Sequence, residues 1–252
     1  MEVRLPQDKL DKLRSKLLAF LNMKTNSKVT LRELQSLIGL LNYACYVVSP
    51  GRAFLRRIID LTLGLKRPHH KRRLTFVAKK DMQAWLEFLK TFNGKAFILS
   101  DLWKTSESLQ FYTDSSNLGF GGIFGHKWFC GVWQGYQLNY HINIRELFPI
   151  VLALELYAPT LQNSCVKFYS DNLSVVHILN KQTSKDPIIM RLVRRFMVLI
   201  LKYNIMFKLF HIPGNLNRAA DLLSRTQVHL FQQWYPAMDP IPTPIPHSLL
   251  VI

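Results

Sequence analysis

The segment Leu109-Gln110-Phe111-Tyr112-Thr113-Asp114 decides the fold of the second half of this chain, because an apolar, β-like run ends there on a carboxylate. A second run of the same kind, Val166 to Ser170, ends on Asp171. An acid at the end of a central strand is costly to bury unless it is paired or bound to a metal. These runs therefore predict strands whose acidic ends meet at one site.

Two further acids complete the pattern. Glu146 opens an apolar helix, and Asp221 follows the turn residues Pro213-Gly214. Each acid alone has an ordinary explanation: Asp114 as a turn former, Glu146 and Asp171 as helix caps, and Asp221 as a surface residue. Together the four make up half of the eight acids after residue 105. Crowded carboxylates repel, so the sequence predicts a site for two Mg²⁺ ions, about 3.5–4 Å apart, which is the machinery of phosphodiester cleavage.

The second half alternates β-like and helical segments. Three short runs rich in aromatic residues predict an antiparallel meander. After them the periodicity predicts the order α-β-α-α-β-α, with Pro187 at the first position of one helix. The fold class predicted for residues 106–226 is α/β, with a mixed five-stranded sheet and flanking helices. The expected strands are Leu109–Asp114, Leu118–Phe124, Lys127–Trp133, Val166–Ser170 and Ile205–Ile212, and the expected helices are Glu146–Ala158, Leu173–Asn180 and 187–203.

Residues 1–105 predict a small, mainly helical and basic domain. Leu10, Leu13 and Leu17 recur at helical spacing, and a capping box at Thr30 and Glu33 predicts the start of a second helix, which stops at Ser49-Pro50-Gly51. Two more helices are expected at Ala53–Leu63 and Lys80–Phe92, the last ended by Asn93-Gly94. Residues 227–252 hold five prolines between 236 and 246 and few charges, which predicts a flexible, extended tail.

The net charge of +17 is concentrated in the first half. Residues 1–105 hold 21 Lys and Arg against 8 Asp and Glu, whereas residues 106–252 hold 12 against 8. Such a balance indicates a polyanionic partner, most simply nucleic acid, with a membrane surface as the competing candidate. The densest run, Lys66–Arg73, is typical of a nuclear localisation signal, a nucleic-acid patch or a solvated basic loop, of which we favour phosphate contact.

Several other functions find no support in the sequence. The three cysteines are far apart and form no Cys-x-x-Cys pair, so they predict reduced, buried thiols. The glycine-rich segment Gly119–Gly125 lacks the ending of a P-loop, and a glycine-bearing strand is favoured. The histidines have no metal-ligand spacing, and no Ser/His/Asp arrangement stands out. Without a signal peptide or an apolar run near ~20 residues, we expect an intracellular protein, nuclear or cytoplasmic, that is neither secreted nor membrane-bound.

Four blocks, taken together and in order, resemble the RNase H domain of retrotransposon reverse transcriptases, most closely that of DIRS-like elements. The blocks are Tyr112-Thr113-Asp114-Ser115-Ser116, Arg145-Glu146-Leu147, Tyr169-Ser170-Asp171-Asn172, and Ile212-Pro213-Gly214 followed by Asn217-Arg218-Ala219-Ala220-Asp221-Leu222-Leu223-Ser224-Arg225. Upstream, Leu31–Gly39 and Pro50–Phe54 resemble the thumb and connection region that follows the polymerase palm. The resemblance covers most of residues 1–226.

This resemblance implies an RNase H-like fold and hydrolysis of the RNA strand of RNA–DNA hybrids. The implied ligands of two Mg²⁺ ions, or Mn²⁺, are Asp114, Glu146, Asp171 and Asp221, one metal activating a water and the other stabilising the leaving oxygen. Asn172 and Arg218 are implied neighbours of the substrate. Basic residues of the helical half would hold the hybrid by its phosphates, and the 2′-hydroxyl would select RNA. A polymerase subunit or other retroelement proteins are expected partners.

Two departures from the family pattern leave alternatives open. No Asp-Asp pair occurs, so the polymerase palm is missing and the chain alone should not synthesise DNA. The loop Pro213–Asn217 is short and lacks the histidine that assists product release in many cellular RNases H, which predicts slow turnover. His211 precedes this loop, within the predicted last strand, and is not assigned that role. The alternatives are a catalytically inactive nucleic-acid-binding remnant and, less favoured, an integrase-like nuclease of the same fold.

Overall fold

The chain divides into two units, Met1–Ile98 and Leu99–Ile252, in the computed structural model. The structure describes residues 2–91, 95–97 and 103–252. The sequence had predicted a domain boundary after residue 105, seven residues beyond this one. Asn93-Gly94, the expected end of the fourth helix, lies outside the described residues.

Unit 1 is built from helices, as predicted, but it also contains two short strand pairs that the sequence analysis missed. Its helices are α1 (Gln7–Asn22), α2 (Leu31–Ala44), α3 (Arg56–Asp60) and α4 (Phe76–Thr91). Strand β1 (Glu2–Arg4) pairs antiparallel with β4 (Lys95–Phe97), and β2 (Lys28–Thr30) pairs antiparallel with β3 (Lys71–Arg73). These strands are only three residues long, which is why no alternating pattern announced them.

Local side-chain chemistry fixes the helix ends of unit 1. The capping box is confirmed: Thr30 Oγ1 accepts from the backbone of Glu33, whose carboxylate accepts from Thr30 N at 2.7 Å. Helix α4 begins four residues earlier than predicted because Thr75 Oγ1 accepts from Ala78 N. Helix α2 ends at Ala44, ahead of the expected stop, and the 3-10 turn Ser49–Phe54 takes up the start of the predicted third helix, which is therefore short.

Unit 2 contains strands and helices close to the predicted segments, so its mixed α/β class is confirmed. Its strands are β5 (Trp103–Lys104), β6 (Tyr112–Ser115), β7 (Gly119–Phe124), β8 (Lys127–Val132), β9 (Cys165–Ser170) and β10 (Met206–His211). Its helices are α5 (Ser106–Leu109), α6 (Ile142–Tyr157), α7 (Leu173–Lys181), α8 (Pro187–Lys202), α9 (Arg218–Ser224) and α10 (Val228–Trp234). Pro187 opens α8 as predicted, with Asp186 as its N-cap.

The strands of unit 2 form two three-stranded sheets. Strands β6, β7 and β8 form the predicted antiparallel meander, and β9 lies between β10 and β5 with both pairings parallel. One continuous five-stranded sheet is not confirmed, although β6 runs close beside β9. The reason lies in the segment expected as the first strand. Gln110 takes a left-handed conformation (φ 48°) after the short helix α5, so strand pairing breaks between Lys104 and Tyr112.

The C-terminal segment of unit 2 is packed rather than extended freely, in contrast to the flexible tail predicted for residues 227–252. Phe231 is fully buried against Trp128, whose indole Nε1 donates to Asp239 O at 2.7 Å. Arg191 and Gln137 donate to the carbonyls of Ile252 and Leu250. A proline-rich chain keeps its carbonyl oxygens as acceptors, and side chains of the unit use them. Composition alone does not reveal such partners.

The described helices are at most 16 residues long. Within the described ranges, none combines the length and the apolar character that a bilayer crossing requires.

Candidate metal centre

Three of the four predicted acids converge in unit 2. Asp114 lies within β6, Asp171 directly follows β9, and Glu146 lies in α6. One carboxylate oxygen from each lies within 4.8 Å of the other two. Since β6 and β9 run side by side and α6 packs against β6, the sheet and the helix together create the cluster.

A close approach between α9 and β7 places a partner for Asp114. Gly121 faces Asp114 across the β6–β7 ladder. A Cβ atom at Gly121 would lie 2.4 Å from Leu223 Cβ, so only glycine lets α9 come this close. The next residue of α9, Ser224, is fully buried and donates from Oγ to Asp114 Oδ2 at 2.6 Å.

Sequence reasoning missed Ser224, although a signal was available. Ser224 lies three residues after Asp221 and so shares its side of a helix. The predicted glycine-bearing strand is confirmed as β7. Its glycines leave the space that α9 needs for its close approach.

Burial and mutual repulsion perturb two of the clustered acids. Burial raises the pKa of Glu146 to about 9, with the negative charges of Asp114 and Asp171 adding to the effect and Arg145 opposing it. Burial also raises the pKa of Asp114 to about 6; the Ser224 hydrogen bond opposes this, and Asp171 and Asp221 reinforce it. Among the described residues, no Lys or Arg forms an ion pair with any member of the triad. The described residues thus give the cluster no direct ion-pair partner, and Arg145 offsets its negative charge only in part.

The end of β10 and the turn that follows it lie close to Asp171. A Cβ at Gly214 would lie 3.3 Å from Asp171 Oδ2, so the turn after β10 passes close to this carboxylate. His211, the last residue of β10, places Nε2 3.0 Å from the backbone oxygen of Asp171. His211 thus contacts the backbone of one acid of the cluster.

Asp221 is close to the cluster but lies outside the triad. It is half-buried, and its Oδ1 accepts from Arg225 Nε at 2.7 Å, one helical turn along α9. Its charge nevertheless contributes to the raised pKa of Asp114. The i, i+4 spacing of α9 gives Asp221 a local partner that the other three acids do not have.

The two predicted substrate neighbours have structural partners in the chain. Asn172 caps α7 by accepting from Val175 N at 3.1 Å, and its amide donates to Asn143 at 3.2 Å. Arg218 lies over the Trp234 ring, with its guanidinium carbon 4.1 Å from the ring centre. Neither contact tests a role towards substrate.

Polar atoms around the triad are also left unpaired. Ser115 Oγ and Arg145 Nε, each next to an acid of the triad, are buried and lack a hydrogen-bond partner within the described chain. The same holds for Asn217 Oδ1, whose amide nitrogen donates to Thr113 O. Buried polar atoms are normally satisfied, so each of these three atoms is expected to have a water molecule or another partner. The all-oxygen donor set is the one that Mg²⁺ and Mn²⁺ accept, and the triad could hold such an ion.

Comparison with known proteins gives one similar curated protein. The chain is 26% identical over 201 residues to the "Enzymatic polyprotein" of Carnation etched ring virus, a match that covers 76% of this chain and 29% of the polyprotein. The chain thus spans less than a third of the relative that it matches. No family model matches the chain.

Among solved structures, two foamy-virus proteins are similar in part. The first is a foamy viral protease-reverse transcriptase in complex with double-stranded DNA, with 15% identity, a TM-score of 0.31, and coverage of 83% of this chain and 36% of that one. The second is the native protease-reverse transcriptase of Prototype Foamy Virus, with 16% identity, a TM-score of 0.27, and coverage of 75% and 26%.

Proposed function

We propose that this chain is a metal-dependent endonuclease that hydrolyses the RNA strand of RNA–DNA hybrids, as the RNase H part of a retroelement reverse transcriptase. The observation that carries the proposal is the meeting of Asp114, Glu146 and Asp171 oxygens within 4.8 Å, without an ion pair from any described Lys or Arg. A cluster of carboxylates without a direct ion pair is unfavourable on its own, so a divalent cation is the simplest reason for it.

The choice of fold and substrate rests on further support. Because β6 runs beside β9, the strand order β8-β7-β6 beside β9-β10 supports an RNase H-like sheet that is split in two at its middle. The four sequence blocks resemble the RNase H domain in the same order. The similar viral protein is an enzymatic polyprotein, which agrees with an origin in a retroelement.

The chain's residues would divide the work as follows. Asp114, Glu146 and Asp171 would hold the metal ions, and Ser224 keeps the Asp114 carboxylate in one orientation. Asp221 would be a fourth ligand if it exchanged its contact with Arg225, whose side chain is exposed. When bound, the metal ions would activate a water and stabilise the leaving oxygen of the phosphodiester.

One observation favours the alternative of a catalytically inactive, nucleic-acid-binding remnant. Asp221 lies outside the triad and is paired with Arg225, so the fourth ligand is engaged elsewhere. If that pair persists when metal is added, the second ion lacks its ligand. Activity with Mg²⁺ therefore separates the two functions.

The test is cleavage of an RNA–DNA hybrid by Asp114→Asn and Asp171→Asn variants. We expect Mg²⁺-dependent cleavage by the wild-type chain, loss of it in EDTA, and loss of it in both variants with hybrid binding retained. Asp186→Asn is the matched control, since asparagine caps α8 as well as aspartate does, and it should cleave normally. Wild-type-like cleavage by either triad variant would refute the assignment.

The same assay distinguishes the proposed ribonuclease from an integrase-like nuclease and from an inactive remnant. Cleavage of duplex DNA in preference to the hybrid would indicate the integrase-like alternative, and an inert wild-type chain would indicate the remnant.

A further inference from the structure

The antiparallel strand pair of β2 and β3 in unit 1 carries a surface that the metal centre does not explain. In this strand pair Lys28 lies opposite Arg73, Val29 opposite Arg72, and Thr30 opposite Lys71. Val29 is fully buried, so the face that it shares with Arg72 points inward. Residues directly opposite each other in a strand pair share a face, and the alternation of strands places Lys28, Lys71 and Arg73 together on the outer face.

Arg72, which lies on the same face of the strand pair as Val29, has a structural role. Arg72 donates from Nε to Leu61 O at 3.3 Å and from its terminal nitrogen to Leu63 O, which ties β3 to the end of α3. All three residues of β3 are exposed, Arg72 included, so the outer residues differ from Arg72 in their partners and not in their exposure. Within the described part of the chain, none of Lys28, Lys71 and Arg73 forms an ion pair.

The outer face is held in a fixed arrangement. The backbone amides of Leu31 and Arg32, at the start of α2, donate to His70 O and Pro68 O at 2.8 and 3.1 Å. Leu74 N donates to Ser27 O at 2.8 Å, beyond the other end of the ladder. The basic run Lys66–Arg73 is therefore anchored on both sides, while most of its residues remain exposed to solvent.

This arrangement is costly without an anionic partner. Like charges directly opposite each other in a sheet are destabilising, and Lys28 faces Arg73 in that way. Glu33 offsets part of this charge: hydrogen bonds from Thr30 and, to a smaller extent, the positive charge of Lys71 lower the pKa of its carboxyl group. Two exposed lysines elsewhere in the unit have acids of their own: Lys9 lies 3.3 Å from Asp8, and Lys90 lies 3.8 Å from Glu87.

We propose that the outer face of this strand pair, formed by Lys28, Lys71 and Arg73, binds the phosphate backbone of a nucleic acid. Three cations on one rigid ribbon match a row of phosphates, which lines up negative charges along a strand. Contacts of this kind position the nucleic acid without reading its sequence. The choice of nucleic acid among polyanions rests on the proposed function, whereas the existence of an anion-binding face rests on the geometry of the strand pair itself.

The experiment measures binding of a labelled RNA–DNA hybrid in EDTA, so that no cleavage occurs, over a series of salt concentrations. The test variant replaces all three residues (Lys28→Gln, Lys71→Gln, Arg73→Gln). Each lost phosphate contact reduces the slope of log K against log salt by ~0.9, so we expect a reduction of about 2 to 3 and at least about tenfold weaker binding at low salt. Arg73→Lys should retain most of the affinity, because it keeps the charge.

The matched control removes the same number of charges elsewhere in the unit (Lys9→Gln, Lys12→Gln, Lys90→Gln), and it should bind almost as the wild-type chain does. Thermal unfolding should show the test variant to be as stable as the wild type or more so, since a repulsive pair has been removed. An unchanged salt slope in the test variant, or an equal loss in the control, would overturn the proposal.

The outcomes also separate this inference from the proposed function. If the hybrid is cleaved in Mg²⁺ and the triple variant binds normally, the nuclease assignment stands and the assignment of the strand pair fails. If the triple variant loses hybrid affinity while the wild-type chain cleaves nothing, the assignment of the strand pair stands and the nuclease assignment fails. Wild-type binding to phosphatidylserine vesicles, with none to the hybrid, would replace the nucleic acid by a membrane surface and overturn the proposal.

Discussion

The two units of this chain treat their buried acids in opposite ways. In unit 1, Asp81 is almost fully buried and meets Arg57 at 3.2 Å. In unit 2, Asp114 is similarly buried, but its charged neighbours in the triad are other carboxylates. A paired buried acid needs nothing further, whereas a cluster of acids requires a cation from outside the chain. The contrast teaches that burial of an acid is not itself a sign of function; the sign is the lack of a compensating charge.

The largest expected effect concerns the support of the unit 2 site by its C-terminal segment. Phe231 packs with Leu222 and Leu223 of α9, the helix that presents Ser224 to Asp114. Phe231→Ala should cost about 3–5 kcal/mol of unfolding free energy and reduce cleavage by loosening α9. Denaturant unfolding and the hybrid assay measure both effects.

The neighbouring substitution Leu230→Ala, at a partly exposed position, is the control and should cost much less. If Phe231→Ala behaves like Leu230→Ala, the C-terminal segment is not part of the support of the site.

The next prediction compares the two units by replacing a buried carboxyl group with an amide in each. In metal-free protein at neutral pH, Asp81→Asn should lower the unfolding free energy by about 1–3 kcal/mol, because it weakens a buried ion pair. Glu146→Gln should raise it by about 1–3 kcal/mol, because glutamine avoids the unfavourable proton uptake of a carboxyl group whose pKa is raised to about 9. Denaturant unfolding in EDTA measures both values, and equal signs would remove the distinction between the units.

The pH dependence of stability follows from the same shift. The folded pKa of Glu146, about 9, lies above its ordinary value of 4.5, so the folded state holds the proton more tightly. Stability of the metal-free chain should therefore fall as pH rises from 4.5 towards 9, and Glu146→Gln should flatten this fall. Saturating Mg²⁺ should oppose it, since the cation favours the charged form. A metal-free stability that rises over this range would contradict the geometry of the cluster.

The smallest effect is expected in unit 1. Thr30→Ala removes the side-chain cap of α2 and should cost about 1 kcal/mol, with Thr30→Ser as the control that keeps the hydroxyl. Hybrid cleavage should be unaffected at temperatures where the chain stays folded. A loss of cleavage as large as that in Asp114→Asn would show that unit 1 contributes to the chemistry.

Much of the local structure could be predicted from the sequence because its causes are local. The capping box at Thr30, the proline at the start of α8 and the meander β6–β8 all follow from contacts between near neighbours in the chain. The same holds for the ordering of helices and strands in unit 2. The candidate acids were also identified, since acids at the ends of apolar runs are conspicuous.

The errors and omissions concern contacts between distant segments. The C-terminal segment looked flexible by composition, but Trp128, Gln137 and Arg191 provide donors for its carbonyls. The break between β5 and β6 depends on a left-handed residue, Gln110, whose type gives no warning of it.

The amino-acid order alone determined which acids are candidates for the site, where most helices begin, and how unevenly the positive charge is distributed. Only the tertiary structure decided that three of the four acids share one cluster while Asp221 pairs with Arg225, and that Ser224 reaches Asp114 over Gly121. The physical reason is range: caps and periodicity act over a few residues, whereas repulsion between carboxylates depends on distances that packing sets.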